Sequence, residues 1–173
     1  MDTKAQHPSM MSRAAMSAMA RTKTNGGPLV SEIFKQVNNA KDKTKKIEVL
    51  RKYDSPGMRM LLKGAFDPKI EWEIPEGTPP YIANESPEGT EHANLITESK
   101  RLWHFIKGAD PETNKPRKEQ MFIQMLEGLH ISDAEVLVAV KDNKLNNIYK
   151  GLTANLVKEA FNWTDDFTKP EQK

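Results

Sequence analysis

The residues with the clearest chemical use form a turn, Lys150-Gly151-Leu152-Thr153, directly ahead of an apolar helical pattern. The first backbone N–H groups of a helix lack intrahelical partners, and the helix dipole places partial positive charge beside them. A phosphate bound there would satisfy these amides, with Lys150 as a neighbouring cation. The alternative is an ordinary helix cap made by the Thr153 hydroxyl. The candidate phosphate contacts at this turn are Tyr149, Lys150, Gly151 and Thr153.

A second group of chemically useful residues is a basic cluster near the start of a predicted helix: Lys41, Lys43, Lys45 and Lys46, followed by Arg59 and Lys63. Residues 28–66 hold nine basic and four acidic residues, a net charge of +5. Clustered cations bind the phosphate backbone of nucleic acids without reading its sequence. The alternative is a solvated basic surface without a partner. If both groups lie on one face, we expect weak, salt-sensitive and sequence-independent DNA binding.

Cysteine and histidine, the residue types most used for zinc sites and thiol chemistry, are absent or few. The chain has no cysteine, which excludes disulfides and thiolate metal sites. Its histidines show no pair at i, i+4 spacing and are His7, His92, His104 and His130. No Gly-rich phosphate loop of the Walker type occurs. We therefore expect no metal, no cofactor and no enzymatic activity.

Size and composition favour one small helical domain. The chain has 173 residues, of which 37% are hydrophobic and 29% charged, and its mean hydropathy is -0.70. That length is enough for a single core. Because the net charge is only +2, any case for an anionic partner depends on local clustering. No apolar run reaches the roughly 18 residues of a membrane span, so we expect no membrane contact. The absence of cysteine is compatible with a reducing compartment, and we expect a cytoplasmic location.

Apolar residues at helical spacing predict six to seven short helices. The start signals are Pro28, the Lys41–Lys46 run, Ser55 before Pro56, the capping box of Ser132 and Glu135, and Thr153. A further helix over residues 93–107 places Trp103 in the core with Leu102 and Ile106. We therefore expect Trp103 to be a core residue and not an exposed platform for a nucleobase.

A long acidic segment, residues 67–92, interrupts the helical pattern. It holds five prolines and seven acidic residues against the single basic residue Lys69, which is typical of a loop. The alternation of Ile70, Trp72 and Ile74 with acidic residues indicates a short extended strip on the bundle. Because the loop is acidic, we do not expect it to lie on phosphates, and it either covers the far face of the bundle or contacts a protein partner.

An internal repeat indicates that the bundle has two similar halves. The helix, capped turn and helix of residues 47–62 resemble those of residues 123–137. Outside the helical domain, which we predict over residues 28–163, residues 1–27 form a flexible basic arm and residues 164–173 a frayed polar tail.

Two stretches resemble the N-terminal DNA-binding domain of ATP-dependent DNA ligases, including the bacteriophage ligases. The first runs from Leu29 to Pro68, and the second from Lys118 to Trp163, where a Gly-Leu turn precedes a helix with Val157 and Ala160 at Val-x-x-Ala spacing. The resemblance implies an all-α fold of two similar helical halves. It also implies that backbone amides and basic residues around the Gly-Leu turn hold phosphates across the minor groove. The matching residues are Lys144, Lys150, Gly151, Leu152 and Thr153.

The chain departs from the ligase pattern in two ways. No Lys-x-Asp-Gly motif occurs, so the adenylated lysine of the ligase catalytic domain has no counterpart. Asn146 and Asn147 stand where ligases often carry arginine, and each lost cation removes a phosphate contact. The resemblance therefore predicts a free-standing binding module and not a ligase.

Two functions from different classes follow from these patterns. The first is an accessory protein of a tailed phage that binds double-stranded DNA, intact or nicked, in the bacterial cytoplasm. The second is a protein adaptor, a virion component or a host-takeover factor, whose contacts come from the acidic loop 67–92 or the Met-rich arm 1–27. The DNA hypothesis requires the Lys41–Lys46 cluster and the Lys150-Gly151 turn to share one face.

Overall fold

The computed structural model describes residues 28–83 and 93–169, and within these ranges the fold is all-helical. The α-helices are α1 (Val30–Asn39), α2 (Lys43–Lys52), α3 (Pro56–Phe66), α4 (Leu95–Glu98), α5 (Lys115–Gly128), α6 (Ile131–Lys141), α7 (Leu145–Ile148) and α8 (Ala154–Phe161), and a 3₁₀ helix spans Ser99–Phe105. Helices α4 and α7 are single turns, so the predicted all-α bundle of six to seven short helices is confirmed. The predicted arm 1–27 lies outside the described residues, as do parts of the acidic loop and of the tail.

Side-chain caps define where several helices begin. The Asp42 carboxylate accepts a hydrogen bond from the Lys45 amide at 2.9 Å, and the Ser55 hydroxyl accepts one from Met58 at 3.1 Å. At α8 the Thr153 hydroxyl accepts from the Leu156 amide at 3.2 Å. Such a cap contributes about 1 kcal/mol to helix stability. The caps predicted at Ser55 and Thr153 are confirmed.

The predicted capping box at the start of α6 is wrong. Helix α6 begins at Ile131, and the His130 ring caps it by accepting a hydrogen bond from the Ser132 amide at 3.1 Å. The Ser132 hydroxyl lies 2.7 Å from His130 Nδ1 and 2.8 Å from the Ser31 hydroxyl. Ser132 therefore ties α6 to α1 and does not cap its own helix.

Helix α6 is the centre of the bundle. It contacts α1, α3, α5 and α7, and its buried residues lie on every side of the helix. Val136, Leu137 and Val140 are at most 1% exposed, and burying a side chain of this size contributes about 1.5–3 kcal/mol. A helix that is apolar all round is typical of a core position.

Helices α2 and α3, which the internal repeat predicts to form a helical hairpin, pack mainly on other elements and not on each other. Helix α2 packs on α1 and α8, whereas α3 packs on α6, α4 and the 3₁₀ helix. The two helices that the internal repeat paired therefore belong to different parts of the bundle. This places α2 beside α8, which is the arrangement that matters for the candidate site.

Trp103 is exposed, and its predicted core position is wrong. The segment Ser99–Phe105 forms a 3₁₀ helix, in which side chains at i and i+3 lie one above the other. Ser99, Leu102 and Phe105 follow this spacing and are at most 1% exposed, whereas Trp103 is 42% exposed. The difference arises because the prediction assumes 3.6 residues per turn, whereas this helix has three.

The first part of the acidic segment lies on the bundle as the predicted extended strip. The Glu73 amide donates to the Phe105 carbonyl at 2.7 Å, and the Lys107 amide donates to the Glu71 carbonyl at 2.8 Å. The indole of Trp72 donates to the Gly64 carbonyl of α3 at 3.0 Å. Further along, the buried Lys141 ammonium donates to the carbonyls of residues 75 and 77, which fastens the loop to α6.

The carboxyl-terminal segment is packed as far as the structure describes it. Phe167 is 3% exposed and Trp163 is 8% exposed, and their rings lie 6.1 Å apart. The Thr164 amide donates to the Thr168 carbonyl at 2.8 Å. The prediction of a frayed tail from residue 164 is therefore wrong for residues 164–169. No helix within the described ranges is long and apolar enough to span a bilayer.

Candidate nucleic-acid interface

Three chain segments meet where the two predicted basic regions come together. The Gly151 amide donates to the Asn38 side-chain oxygen at 2.7 Å, which joins the turn before α8 to the end of α1. The Lys46 ammonium of α2 donates to the carbonyls of Val37 and Asn38 at 3.0 and 3.2 Å. A Cβ atom on Gly151 would lie 2.7 Å from the Lys46 nitrogen. We call this meeting point the Lys46–Gly151 junction.

The junction explains why position 151 is a glycine. Besides Lys46, an added Cβ would meet the Asn38 side-chain oxygen at 3.1 Å and the Asn38 carbonyl oxygen at 3.3 Å. The absent side chain lets the turn approach the carboxyl end of α1 closely. Lys46 in turn places its positive charge at that helix end, where unpaired carbonyls and the helix dipole favour a cation.

Fewer amides are available at the turn than predicted. The Gly151 amide is bonded to Asn38, and the Leu152 amide donates to the Tyr149 carbonyl at 2.9 Å. Within the described ranges, the amides of Thr153, Ala154 and Asn155 have no acceptor. The expectation that the Gly151 and Leu152 amides hold phosphate is therefore wrong, and the available donors begin at Thr153.

The exposed cations closest in sequence to Lys46 and Gly151 that have no partner within the described ranges are Lys41, Lys45 and Lys150. Their side chains make no ion pair or hydrogen bond with any residue in 28–83 or 93–169. Lys43, by contrast, pairs with the Glu159 carboxylate of α8. That exposed pair joins α2 to α8 and brings one acidic group to the edge of the basic surface.

Three other predicted contacts have partners elsewhere. Arg59 bonds the Asp54 carboxylate at 2.7 Å, and the Lys63 ammonium lies 5.2 Å from the centre of the Trp163 ring. Lys144 lies 3.3 Å from the Glu76 carboxylate of the acidic loop. The structure therefore does not bring these three cations to the Lys46–Gly151 junction.

The side chains of Tyr149 and Leu152 pack between the turn and the helical bundle. Leu152 is fully buried, and the half-buried Tyr149 ring lies edge-on to Phe34 of α1 with 5.7 Å between ring centres. Burial raises the pKa of Tyr149, and the charges of Asp133 and Glu135 raise it further. The buried Leu152 side chain is therefore out of reach of a phosphate, and the Tyr149 ring holds the turn against α1.

Two residues that the sequence analysis did not select hold the interface in place. Asn38 accepts from Gly151, and Arg51 donates to the carbonyls of Ala160 and Glu159 at 2.8 and 3.4 Å. Arg51 thereby supplies donors and positive charge at the carboxyl end of α8. Its basic character was visible in the sequence, but nothing in the sequence distinguishes Asn38 from Asn39.

The histidines within the described ranges have structural partners. His130 caps α6, and His104 lies 2.8 Å from the Asp110 carboxylate. Together with hydrogen bonds from Thr113, the His104 contact lowers the pKa of Asp110 to about 2. No group of three or more potential metal-ligating side chains was found among the residues described. His7 and His92 lie outside that part of the chain.

Comparison with known proteins gives a family but no activity. The model of a family of unknown function (DUF6433) matches residues 33–147, about two thirds of the chain. The match includes the Lys41–Lys46 cluster and Trp103, and it ends before the Lys150-Gly151 turn. No curated protein and no solved structure matches, and none of the comparisons connects the chain with DNA ligases. Because the match covers more than half of its length, the chain belongs to the DUF6433 family of unknown function.

Proposed function

We propose that this protein is a non-enzymatic accessory protein that binds double-stranded DNA without sequence preference. The observation that carries the proposal is the contact between Lys46 of α2 and Gly151 ahead of α8. It joins one residue of each basic region across about a hundred positions of sequence, which supports a single surface for both regions. Intact or nicked duplex presents the regularly spaced phosphates that such a surface fits.

The charges at the junction support phosphate binding. Lys41, Lys45 and Lys150 are exposed and have no partner among the described residues, so binding DNA would not require breaking an existing ion pair. The amides of Thr153, Ala154 and Asn155 are donors at the positive end of the α8 dipole. Cations of this kind neutralise phosphates and release counterions, which makes affinity depend on salt.

Replacement of the exposed lysines tests the proposal. We expect Lys41→Glu with Lys45→Glu to weaken the binding of a labelled duplex by tenfold or more in fluorescence anisotropy at low salt. Both side chains are exposed and unpaired within the described ranges, so the fold should persist. Lys100→Glu is the control for the effect of each single substitution, because it makes the same change of two charge units on the 3₁₀ helix. Equal affinity of the double variant and the wild type would contradict the proposal.

The biological setting is part of the same proposal. The resemblance of residues 29–68 and 118–163 to the DNA-binding domain of bacteriophage ligases supports an origin in a tailed phage. A protein of this kind would act on DNA in the cytoplasm of the bacterial host, in replication or repair. Comparing nicked with intact duplex in the same anisotropy assay measures any preference for nicks.

A protein adaptor is the second candidate function, favoured by a groove of mixed polar and apolar lining between the acidic loop and helices α6 and α7. The groove has a volume of about 440 Å³ and is lined by Tyr81, Glu135, Val138 and Ile148, among others. Ile148 is 49% exposed, which suits a protein contact. If the protein is an adaptor, it should capture a partner from nuclease-treated bacterial lysate. The Ile148→Asp variant should no longer bind that partner, whereas the Lys41→Glu, Lys45→Glu variant should still bind it.

A further inference from the structure

The exposed Trp103 ring and its neighbours form a second surface whose chemistry suits nucleic acid. The Trp103 and His104 rings are stacked, with 3.7 Å between centres and 29° between planes. His104 is fixed from behind by the Asp110 carboxylate at 2.8 Å. Trp103 is therefore held in place while 42% of its surface remains exposed.

The 3₁₀ geometry places cations beside this exposed ring. Because side chains three residues apart lie one above the other, Lys100 shares a ridge with Trp103. Arg101 and His104 follow the same spacing on the neighbouring ridge, and Lys107 follows the extended residue Ile106 after the helix ends. The Lys100 side chain makes no ion pair or hydrogen bond with any residue of the described ranges 28–83 and 93–169.

The two remaining cations are only loosely engaged. Arg101 pairs with Glu98 at 3.1 Å and Lys107 with Glu71 at 3.3 Å, and all but the Glu98 side chain are more than half exposed. Exposed pairs of this kind contribute little and are screened by salt. A phosphate can therefore compete with either carboxylate for its cation.

We propose that the Trp103 surface binds single-stranded DNA by stacking an unpaired base on Trp103, with Lys100 contacting the adjacent phosphate. The outer face of the indole is a platform for any base, because every base has an aromatic face. In a duplex the bases are already stacked on one another, so this platform suits a strand end, a gap or a displaced strand. The surface lies on a different element from the Lys46–Gly151 junction, so this proposal does not depend on duplex binding.

Tryptophan fluorescence with oligothymidylate as the probe tests the proposal directly. Trp163 is nearly buried and Trp72 is half-buried, so quenching on binding should come mainly from Trp103. We expect salt-sensitive quenching in the wild type, and its loss in Trp103→Phe. In anisotropy with the same labelled oligonucleotide, Trp103→Ala should weaken binding about tenfold, whereas Trp103→Phe should retain more affinity because it keeps an aromatic ring.

Charge variants separate this surface from the junction. Lys100→Glu should weaken oligothymidylate binding and leave duplex binding unchanged, and Lys41→Glu should do the reverse. Circular dichroism checks that each variant keeps its helices. The proposal would be overturned if Trp103→Ala and Lys100→Glu both bound oligothymidylate with wild-type affinity. It would also be overturned if fluorescence quenching persisted in Trp103→Phe. Either result would favour a protein contact for the exposed indole. A finding that the Lys46–Gly151 junction does not bind duplex DNA would leave the proposal for the Trp103 surface unchanged.

Discussion

At the scale of single residues, the Asp110 carboxylate has the best-defined electrostatic role. It accepts a hydrogen bond from the His104 ring at 2.8 Å and one from the Thr113 amide at 3.2 Å. The first of these contributes most to lowering the pKa of Asp110 from 3.8 to about 2. The ionised form is thus favoured by folding, and it fixes the ring on which Trp103 stacks.

This lowered pKa predicts a particular pH dependence of stability. Since the folded pKa lies below the unfolded value, the contribution of Asp110 is complete above about pH 4 and is lost as the pH falls towards 2. We expect Asp110→Asn to be less stable than the wild type at pH 7, and the difference to shrink over that acidic range. Urea unfolding at several pH values measures this, with Glu112→Gln as the control. A difference that stays constant down to pH 2 would contradict the assignment.

Asn38 provides a second test at this scale, because one side-chain oxygen connects α1 to the turn before α8. Replacing it with alanine leaves the Gly151 amide without its acceptor in a half-buried position. We expect Asn38→Ala to lower the free energy of unfolding by about 1 kcal/mol and to weaken duplex binding. The neighbouring Asn39 is exposed, so Asn39→Ala should change neither quantity. Identical behaviour of the two variants would exclude a special role for Asn38.

At the scale of elements, local sequence signals predict where helices begin, but they do not distinguish the 3₁₀ helix from an α-helix. Caps such as Ser55 and Thr153 depend on residues within one turn, so the sequence shows them directly. The 3₁₀ helix Ser99–Phe105 is different, because apolar residues over so few positions do not distinguish three residues per turn from 3.6. The choice between these periods decides whether Trp103 is buried, and tertiary packing against α3 and α5 accompanies the tighter form.

The contact between α3 and the extended strip gives a prediction with an internal control. A Cβ on Gly64 would lie 2.8 Å from the Trp72 ring, so Gly64→Ala must displace the indole or its hydrogen bond to α3. We expect it to lower the free energy of unfolding by about 1–3 kcal/mol. A Cβ on Gly128 meets only the Ala93 methyl carbon at 3.4 Å, so Gly128→Ala should be neutral or slightly stabilising. Thermal or urea unfolding of both variants compares them.

At the scale of the whole molecule, the class of fold could be predicted from the sequence and the details of the candidate site could not. Periodicity and caps indicate an all-α bundle because both are local. The Gly151 amide and its acceptor on Asn38 are 113 positions apart, and no local pattern records that pairing. The same holds for Lys144, whose charge is paired with Glu76 of the acidic loop. The sequence therefore identifies which cations exist, whereas packing decides which of them share a surface.

Several exposed lysines of this protein are clustered, although its total charge is nearly neutral. The net charge is only +2, so binding to DNA should reflect the exposed cations at the junction and not a general attraction. Three cations there, Lys41, Lys45 and Lys150, are exposed and unpaired in the described part of the chain. A plot of log affinity against log salt for a duplex should therefore have a slope of about -3. Lys45→Gln should reduce the magnitude of the slope by about 1, whereas Lys100→Gln should leave it unchanged. A slope near zero, or one insensitive to Lys45, would mean that the junction does not contact phosphates.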